Sequence, residues 1–239
     1  MVHQPFPTDW RTALVLVPHP DDTEYGCAAA VAKWTSQGKR VHYALGCRGE
    51  VGIPGIPPEE CGPLRECEQR TSSAIVGVED VEFWDFPDSQ IFNTPELRAK
   101  ICETISELAP DVVITLYSGP EWAPGAPNQR DHIEFSNAVA AAYDSLQDKP
   151  RWFFEHGPYG THGEAVDDFV EAAVASLAAH DVYLSVYNPD VPVIEQARIQ
   201  VDRTTLPPLP GFEGHRSVEF ILKRESLIAP PGAPARGRR

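Results

Sequence analysis

Short apolar runs rich in β-branched residues alternate with amphipathic segments along most of this chain. The apolar runs predict buried strands, and apolar residues spaced three or four apart predict helices that cover them. Such alternation is typical of a mostly parallel sheet with right-handed crossovers and helices on both faces, so we predict an α/β fold. The predicted strands are Ala13–Val17, Val41–Leu45, Val81–Phe86, Asp111–Tyr117 and Trp152–Phe154, and the predicted helices lie near 24–37, 63–76, 97–108, 131–146 and 166–177.

The chain after Val182 has a weaker pattern. We interpret Val182–Val186, Ala197–Val201 and Val218–Leu222 as three further strands, with the proline-rich stretch Leu206–Gly211 between the last two. Apolar, β-branched residues in each short run favour this interpretation.

Ligands of open parallel sheets bind beyond the carboxyl ends of the strands. The loops that leave those ends should therefore gather at one edge of the sheet. The first of them reads HPDDTEYG and has no G-x-G-x-x-G, so the sequence does not support a dinucleotide cofactor. The loops expected at this edge are 18–26, 46–62, 87–93, 118–132 and 155–163.

Composition argues against several classes of partner. The net charge of −15 disfavours both a nucleic-acid backbone and an anionic membrane surface. The five cysteines form no C-x-x-C, which predicts a reduced, cytoplasmic chain. The N-terminal sequence lacks the pattern of a signal peptide, and no apolar run approaches the length of a membrane span. The oligomeric state is not predicted.

A histidine and two carboxylates follow the first predicted strand, which ends before Pro20. Groups of this kind are costly to hold near a core unless a charge compensates them. A divalent metal is the simplest compensation, because His19 and Asp22 can bind it and leave Asp21 free for proton transfer. In the alternative interpretation, the carboxylates only cap the next helix.

Asp131 and His132 open the helix that follows the strand Asp111–Tyr117. One interpretation makes Asp131 an N-cap and His132 a solvated residue of the first turn. Because carboxyl ends of neighbouring parallel strands share an edge, His132 can instead approach His19 and Asp22. Two imidazoles and one carboxylate are the protein ligands of many catalytic zinc sites.

Six short sequences stand out along the chain. They are PHPDD (18–22), RGEVG (48–52), LRECE (64–68), FPD (86–88), PDVVIT (110–115) and DH (131–132). Together, in this order and spacing, they resemble the PIG-L/LmbE family of metal-dependent N-acetylglucosaminyl deacetylases, and the HPDD box after a strand is the most specific of them. The resemblance implies a Rossmann-like fold. We interpret residues 1–228 as one domain of this type and 229–239 as a disordered basic tail.

The resemblance implies a zinc-dependent hydrolase that removes the acetyl group from an amino sugar or glycoconjugate. By similarity, His19, Asp22 and His132 are the ligands of Zn²⁺ or of another divalent ion. Asp21 matches the general base, and Asp131 matches a carboxylate that orients a neighbouring catalytic group. The chemistry agrees, because amide hydrolysis needs an activated water and a proton for the leaving amine.

The chain departs from the family at Gln129. The family often has His-Pro-Asp-His where this chain has Gln129–His132. Glutamine can donate a hydrogen bond to an oxyanion, but it cannot deliver a proton. Three explanations stay open. Another histidine substitutes, Asp21 performs both proton steps, or efficient hydrolysis has been lost. Our hypothesis is the first, with His156 or His162 preferred over His215 as the catalytic histidine, because Glu155–His162 follows a strand into the same edge of the sheet.

Several residues are expected to contact the substrate, an N-acetylated sugar or glycoconjugate. By resemblance, Arg65 and Asp88 fall where the family holds sugar hydroxyls, and Gln129 faces the reacting group. Glu50 is either a substrate or second-layer contact or a solvated charge. Trp122 either packs its loop or offers an aromatic wall to a sugar. The alternative functions are an amidase of a thiol–sugar conjugate and a metal- or sugar-binding protein with weak catalysis.

Overall fold

The computed structural model of the chain describes residues 2–226, and the tail predicted at 229–239 lies outside them. The strands in this part are β1 Gln4–Pro5, β2 Thr12–Val17, β3 Arg40–Leu45, β4 Asp80–Phe83, β5 Val112–Leu116, β6 Glu121–Ala123, β7 Ala126–Pro127, β8 Trp152–His156, β9 His162–Ala165 and β10 Ser217–Glu225. The α-helices are α1 Ala28–Ser36, α2 Pro58–Ile75, α3 Pro95–Leu108, α4 Arg130–Ser145, α5 Val170–Ala178, α6 Asp181–Tyr187 and α7 Val193–Thr205, and a 3₁₀ turn covers Asp167–Phe169.

Eight strands form one sheet in the order β1-β9-β10-β8-β5-β2-β3-β4, and β6 and β7 form a separate hairpin. The strands from β8 to β4 pair in parallel, as do β1 and β9. β10 runs antiparallel to both of its neighbours. The predicted α/β class with a mostly parallel sheet is therefore confirmed.

Alternate side chains of β2 cover opposite faces of the sheet. Ala13, Val15 and Val17 join a core that includes buried residues of α1, α5 and α7. Leu14 and Leu16 join a second core with α3 and α4. Because helices cover both faces of the sheet, the side chains on both faces of β2 are buried. The sequence of β2 is therefore a continuous apolar run and does not alternate between apolar and polar residues.

The order of the strands creates a crevice beside β2. The chain passes from β2 to β3 and β4 on one side, and β5 then returns to the other side of β2. The loops that leave β2 and β5 therefore diverge at a topological switch point, where open α/β sheets bind ligands. One of these loops begins with His19, and the other leads to α4.

Two of the three strands predicted after Val182 are wrong. Val182–Val186 lies in α6 and Ala197–Val201 lies in α7, whereas Val218–Leu222 lies in β10 as predicted. The β-branched content of these runs favoured strands, but packing decides the structure. Ala197 and Val201 stand one helical turn apart and are both buried, and Leu184 of α6 is buried as well.

Some helix bounds differ from the predicted ones near the carboxyl edge of the sheet. α1 begins at Ala28, because residues 20–27 form turns at the end of β2. α2 begins at Pro58, ahead of the predicted start, and contains Pro63. The short strands β1, β6, β7 and β9 have no counterpart in the sequence prediction.

No single helix within residues 2–226 is long and apolar enough to cross a membrane. The segments Asp167–Ala178 and Asp181–Tyr187 meet the length and apolarity criteria only as a pair, and that pair is bent by 77°.

The strand and helix interpretations of 197–201 differ in where Ile199 points. In a strand Ile199 would share a face with Ala197, but in α7 Ala197 is buried and Ile199 is 42% exposed. We expect Ala197→Asp to lower the free energy of unfolding by about 3 kcal/mol or more, because it buries an unpaired charge. Ile199→Asp should change it by less than about 0.5 kcal/mol. Urea unfolding measures both, and equal losses would contradict helix α7.

Candidate active site

The turn after β2 is closed by one of its own carboxylates. The backbone N–H of His19 donates to Asp22 Oδ2 at 2.8 Å. The same oxygen lies 3.3 Å from Nδ1 of the His19 ring. The turn therefore holds the imidazole and the carboxylate side by side at the carboxyl end of the strand.

His132 reaches the same space from the first turn of α4. Its Nε2 lies 3.2 Å from Asp22 Oδ1, and its ring centroid is 5.3 Å from that of His19. One donor atom from each of His19, Asp22 and His132 lies within 4.8 Å of the other two, and all three residues are buried. The structure thus brings the three predicted metal ligands together.

Asn128 sets the orientation of the His132 ring. The Asn128 amide nitrogen donates to the carbonyl oxygens of Tyr117 and Gly119, each at 2.9 Å. Its Oδ1 is therefore the atom that faces His132 Nδ1, at 3.0 Å. An amide oxygen only accepts, so Nδ1 carries the proton and Nε2 points towards Asp22.

The Nε2 atom of His132 is buried and has no hydrogen-bond partner among residues 2–226. In the neutral ring its lone pair faces a carboxylate oxygen of Asp22, which is repulsive unless a cation lies between them. Two imidazoles and a carboxylate are a common ligand set for a catalytic divalent ion. The residues present therefore fit such an ion.

Carboxylates surround the His19 ring. Its Nε2 lies 3.4 Å from Asp88 Oδ1 and 3.5 Å from Asp131 Oδ2. Burial alone would lower the pKa of His19, but the carboxylates of Asp131, Asp22 and Asp88 raise it to about 10. Burial likewise opposes ionisation of Asp22, yet His132 and His19 hold its pKa well below the usual range. The centre therefore attracts positive charge.

Asp131 also fixes the position of the neighbouring loop. Its Oδ2, which faces His19, accepts a hydrogen bond from the backbone N–H of Ile91 at 3.3 Å. The Asp131 carboxylate thus lies between the His19 imidazole and the backbone of Ile91.

Asp21 lies in the same turn but directs its carboxylate towards α2. Its backbone φ of 81° falls in the left-handed region, which residues with a side chain rarely adopt. Its Oδ2 lies 3.3 Å from Nη2 of Arg65. Burial raises the pKa of Asp21 to about 6, although Arg65 acts in the opposite direction. A carboxyl group of this kind can exchange a proton near neutral pH.

Reciprocal hydrogen bonds join the Glu50 loop to Asp88. The backbone N–H of Asp88 donates to Glu50 Oε1 at 2.9 Å, and the backbone N–H of Val51 donates to Asp88 Oδ2 at 3.0 Å. Glu50 therefore contacts the loop that carries Asp88, while the other oxygen of Asp88 faces His19.

Arg65 is engaged inside the protein. Its Nη2 donates to the carbonyl oxygen of Pro20 at 2.8 Å, and its guanidinium lies 4.3 Å from the ring centroid of Tyr183. A Cβ atom on Gly49 would lie 2.3 Å from Nη1, so a larger residue at this position would displace the Arg65 guanidinium. The structure places Arg65 beside Asp21, and its contacts are not those of a free sugar-binding side chain.

Trp122 belongs to a cluster that we call the aromatic rim, consisting of Tyr117, Trp122 and Tyr159. The Trp122 ring centroid lies 6.1 Å from that of His132, edge to face, and 5.7 Å from that of Tyr117. Tyr159 lies 6.1 Å from Tyr117 and is 65% exposed. The rim therefore runs from a metal-ligand candidate out to solvent.

His156 ends β8 close to the centre. Its ring packs against Gly26, where an added Cβ would lie 2.1 Å from Nδ1. Burial lowers the pKa of His156 to about 4. The charge of Asp22 acts to raise this pKa, and His132 acts to lower it. The imidazole is therefore neutral at pH 7 and enclosed.

His162 and Gln129 have different surroundings. His162 begins β9, where its Nδ1 lies 2.8 Å from Thr161 Oγ1 and its ring meets Phe154 edge to face. These contacts do not connect it with the cluster around His19. Gln129 is the exposed N-cap of α4, and its side chain makes no capping hydrogen bond.

Sequence reasoning missed two residues of this centre, Asn128 and Cys47. In the part of the chain that the structure describes, His19, Cys47 and Asp88 form a second group of donors within 4.8 Å of one another. Burial raises the pKa of the Cys47 thiol well above its ordinary value. Cys47 follows the end of β3, so the argument used for His19 could have found it. Asn128 lies in an irregular loop and gave no such signal.

A model of the PIG-L family, described as GlcNAc-PI de-N-acetylase, matches residues 14–143, more than half of the chain. The match begins in β2 and ends in α4, so it includes all three predicted ligands. The chain belongs to the PIG-L family. This membership confirms the predicted family and, with it, a hydrolase of the deacetylase type.

Curated relatives are similar over most of the same region. The chain is 29% identical over 187 residues to a protein of Bacillus anthracis named probable N-acetyl-α-D-glucosaminyl L-malate deacetylase 2, covering 71% of this chain and 80% of that protein. It is 31% identical over 149 residues to the diacetylchitobiose deacetylase of Thermococcus kodakarensis, covering 61% of this chain and 54% of that protein.

Among solved structures, the N,N′-diacetylchitobiose deacetylase of Pyrococcus horikoshii has the same fold. It superimposes with a TM-score of 0.76 at 17% identity, over 90% of this chain and 84% of that one. A protein of low sequence identity thus shares the arrangement of sheet and helices described above.

Asn128 should control how tightly the centre binds a divalent ion. Asn128→Ala frees the His132 ring to rotate, and we expect the dissociation constant for zinc to rise by about 10–100-fold. Asn137 is an exposed asparagine of α4, and Asn137→Ala should leave the dissociation constant for zinc unchanged. Zinc titration against a chromophoric chelator measures both. Equal affinities in the two variants would contradict the role given to Asn128.

Proposed function

We propose that this protein is a zinc-dependent N-deacetylase that releases acetate from an N-acetylated amino sugar or glycoconjugate. The observation that carries the proposal is the buried group His19, Asp22 and His132. In this group the Nε2 atom of His132, which has no hydrogen-bond partner among residues 2–226, faces the Asp22 carboxylate. Family membership and the names of the relatives support the deacetylase chemistry.

His19, Asp22 and His132 would hold the ion. When bound, it would activate a water molecule and polarise the acetyl carbonyl. Asp131 and Asn128 keep the two imidazoles in place, through contacts of 3.5 Å and 3.0 Å. Orienting contacts of this kind restrict the ligand rings to one productive arrangement.

Asp21 is the proposed general base. Its carboxylate adjoins the ligands in sequence, and its pKa of about 6, raised by burial, suits transfer of a proton in either direction near neutral pH. We infer that Asp21 takes the proton from water and returns it to the leaving amine. This is the second of the three explanations for Gln129.

The positions of the histidines favour that explanation. His156 is enclosed and its pKa of about 4, lowered by burial, leaves no proton to donate at pH 7. The His162 ring is hydrogen-bonded to Thr161 and packs against Phe154. Gln129 stands exposed at the opening of α4, where its amide can donate a hydrogen bond to the substrate.

The aromatic rim is the proposed wall for the sugar. Aromatic faces suit the apolar face of a pyranose ring, and Trp122 lies beside His132. Glu50 and Asp88 lie in the loops that follow β3 and β4. Their carboxylates can accept hydrogen bonds from sugar hydroxyl groups. The names of the relatives include N-acetylglucosaminyl malate and diacetylchitobiose, so a substrate with a group attached to the sugar is favoured.

Gln129 also favours a second candidate, a metal- or sugar-binding protein with weak hydrolysis. The two functions share the same ligands, so metal content does not separate them. Turnover does separate them, and a zinc-loaded protein without acetate release from any N-acetyl sugar would favour binding alone.

Asp21→Asn tests the deacetylase proposal. We expect kcat for acetate release from N-acetylglucosamine or diacetylchitobiose to fall by about 10²–10⁴-fold, because the amide cannot accept the proton. Zinc affinity should stay within about threefold of the unaltered protein, since Asp21 is not a proposed ligand. The exposed carboxylate of Asp148 provides the control variant Asp148→Asn, which should retain full activity.

Removal of zinc by a chelator should abolish acetate release, and added zinc should restore it. Undiminished turnover in Asp21→Asn would contradict its role. A loss of the same size in His156→Gln, with zinc still bound, would assign proton transfer to that imidazole instead.

Trp122→Ala should weaken binding of substrates that extend beyond one sugar. We expect kcat/KM for diacetylchitobiose to fall about 3–10-fold more than kcat/KM for N-acetylglucosamine, because one aromatic contact is lost. Trp122→Phe, which keeps an aromatic ring, should retain most of the kcat/KM for diacetylchitobiose. Steady-state kinetics on both sugars decide the matter, and equal losses would show that Trp122 only packs the loop.

A further inference from the structure

A group of buried polar side chains lies between Asp21, helix α2 and His180, the residue that directly precedes α6. It consists of Glu24, Gln69, Ser73 and His180, each no more than 2% exposed. None of them is a proposed metal ligand. Polar groups so deeply buried need partners. Hydrogen bonds through Gln69 join Glu24 and Ser73 to the backbone of Asp21, whereas the ring nitrogens of His180 have no hydrogen-bond partner among residues 2–226.

The first link is a hydrogen bond from the backbone of Asp21. Its N–H donates to Oε1 of Gln69 at 2.7 Å. With a φ of 81°, Asp21 has a backbone conformation that surrounding contacts must hold in place. Gln69 supplies the acceptor that the turn itself does not provide.

The second link fixes which way the Gln69 amide points. Its Nε2 donates to Glu24 Oε1 at 3.1 Å and to Ser73 Oγ at 3.0 Å. A carboxylate only accepts hydrogen bonds, so the amide nitrogen must face Glu24. The amide oxygen is therefore left for Asp21, and the enclosed side chain has no solvent alternative.

His180 lies near the far oxygen of Glu24 but is not hydrogen-bonded to it. Glu24 Oε2 is 3.8 Å from His180 Nε2, both side chains are fully buried, and neither atom has a hydrogen-bond partner among residues 2–226. The cluster thus has a polar group at each end, with Gln69 between Glu24 and the Asp21 turn.

Helix α2 provides a second contact to the same turn. Arg65 donates to the carbonyl oxygen of Pro20 at 2.8 Å, one residue before the N–H that Gln69 accepts. Arg65 and Gln69 are four residues apart and therefore lie on one face of α2. The peptide group between Pro20 and Asp21 is consequently held at both its oxygen and its nitrogen.

We propose that Gln69 is a positioning residue that holds the Asp21 carboxylate in its working place by accepting the Asp21 backbone N–H, with Glu24 fixing the orientation of the Gln69 amide. The proposal rests on the proposed function of Asp21. Gln69 is not among the proposed metal ligands or substrate contacts.

A set of four variants tests the direction of each hydrogen bond. Gln69→Met keeps the volume of the side chain and removes the acceptor. Gln69→Glu keeps an acceptor but sets a carboxylate against Glu24. Glu24→Gln combined with Gln69→Glu keeps an acceptor for the Asp21 N–H, restores the bond between positions 24 and 69 with its polarity reversed, and leaves the total charge unchanged. Thr71→Val, an exposed position on α2, is the control.

We expect kcat for acetate release to fall about 10–100-fold in Gln69→Met and in Gln69→Glu, because small displacements of a reacting group are costly. KM and zinc affinity should stay within about threefold. The double variant should recover to within about fivefold of the unaltered protein. A merely structural role predicts instead that zinc affinity and thermal stability fall together with kcat and that the double variant does not recover.

Hydrogen exchange of the Asp21 amide provides a readout that needs no turnover. It should become at least about tenfold faster in Gln69→Met and return towards the original rate in the double variant. Unchanged exchange, or a double variant no better than Gln69→Glu in both measurements, overturns the proposal. If exchange follows this expectation while the unaltered protein releases no acetate, the deacetylase proposal fails and the hydrogen-bonded link to Asp21 stands.

Discussion

Negative charge buried around one imidazole is the constraint on which the rest of the centre depends. Carboxylate oxygens of Asp22, Asp88 and Asp131 all lie within 3.5 Å of the His19 ring. Buried carboxylates are costly without a cation or hydrogen-bond donors to compensate them. The segments that follow β2, β4 and β5 therefore place their carboxylates around a site that favours a cation. These segments can meet because the topological switch point lies beside β2.

The two sides of the centre differ in construction. On one side, Arg65 and Gln69 of α2 hold the Pro20–Asp21 peptide, and the whole set is buried. On the other side, the aromatic rim leads from His132 to the exposed ring of Tyr159. This division suits a reaction in which the catalytic carboxylate must stay fixed while substrates of different size enter.

The sequence predicts most of the sheet and the ligand cluster because strand ends are readable. An apolar run followed by His19 locates an edge, and His132 follows another strand of the same sheet. Contacts between side chains and distant backbone groups are not readable in this way. In the sequence, Gln69 has no feature that distinguishes it from other helical residues. Only the structure shows that its amide oxygen accepts a hydrogen bond from Asp21. α6 and α7 were mistaken for strands because tertiary packing, and not local composition, determines them.

The coordination of zinc tests the central claim most directly. Zinc K-edge X-ray absorption on protein loaded with one equivalent distinguishes the two donor groups that share His19, because a sulfur ligand lies at about 2.3 Å and nitrogen and oxygen ligands lie nearer about 2.0–2.1 Å. We expect two imidazoles and a carboxylate as ligands, no sulfur, and the same spectrum in Cys47→Ser. A sulfur ligand that disappears in Cys47→Ser would place the ion between His19, Cys47 and Asp88 and contradict the account.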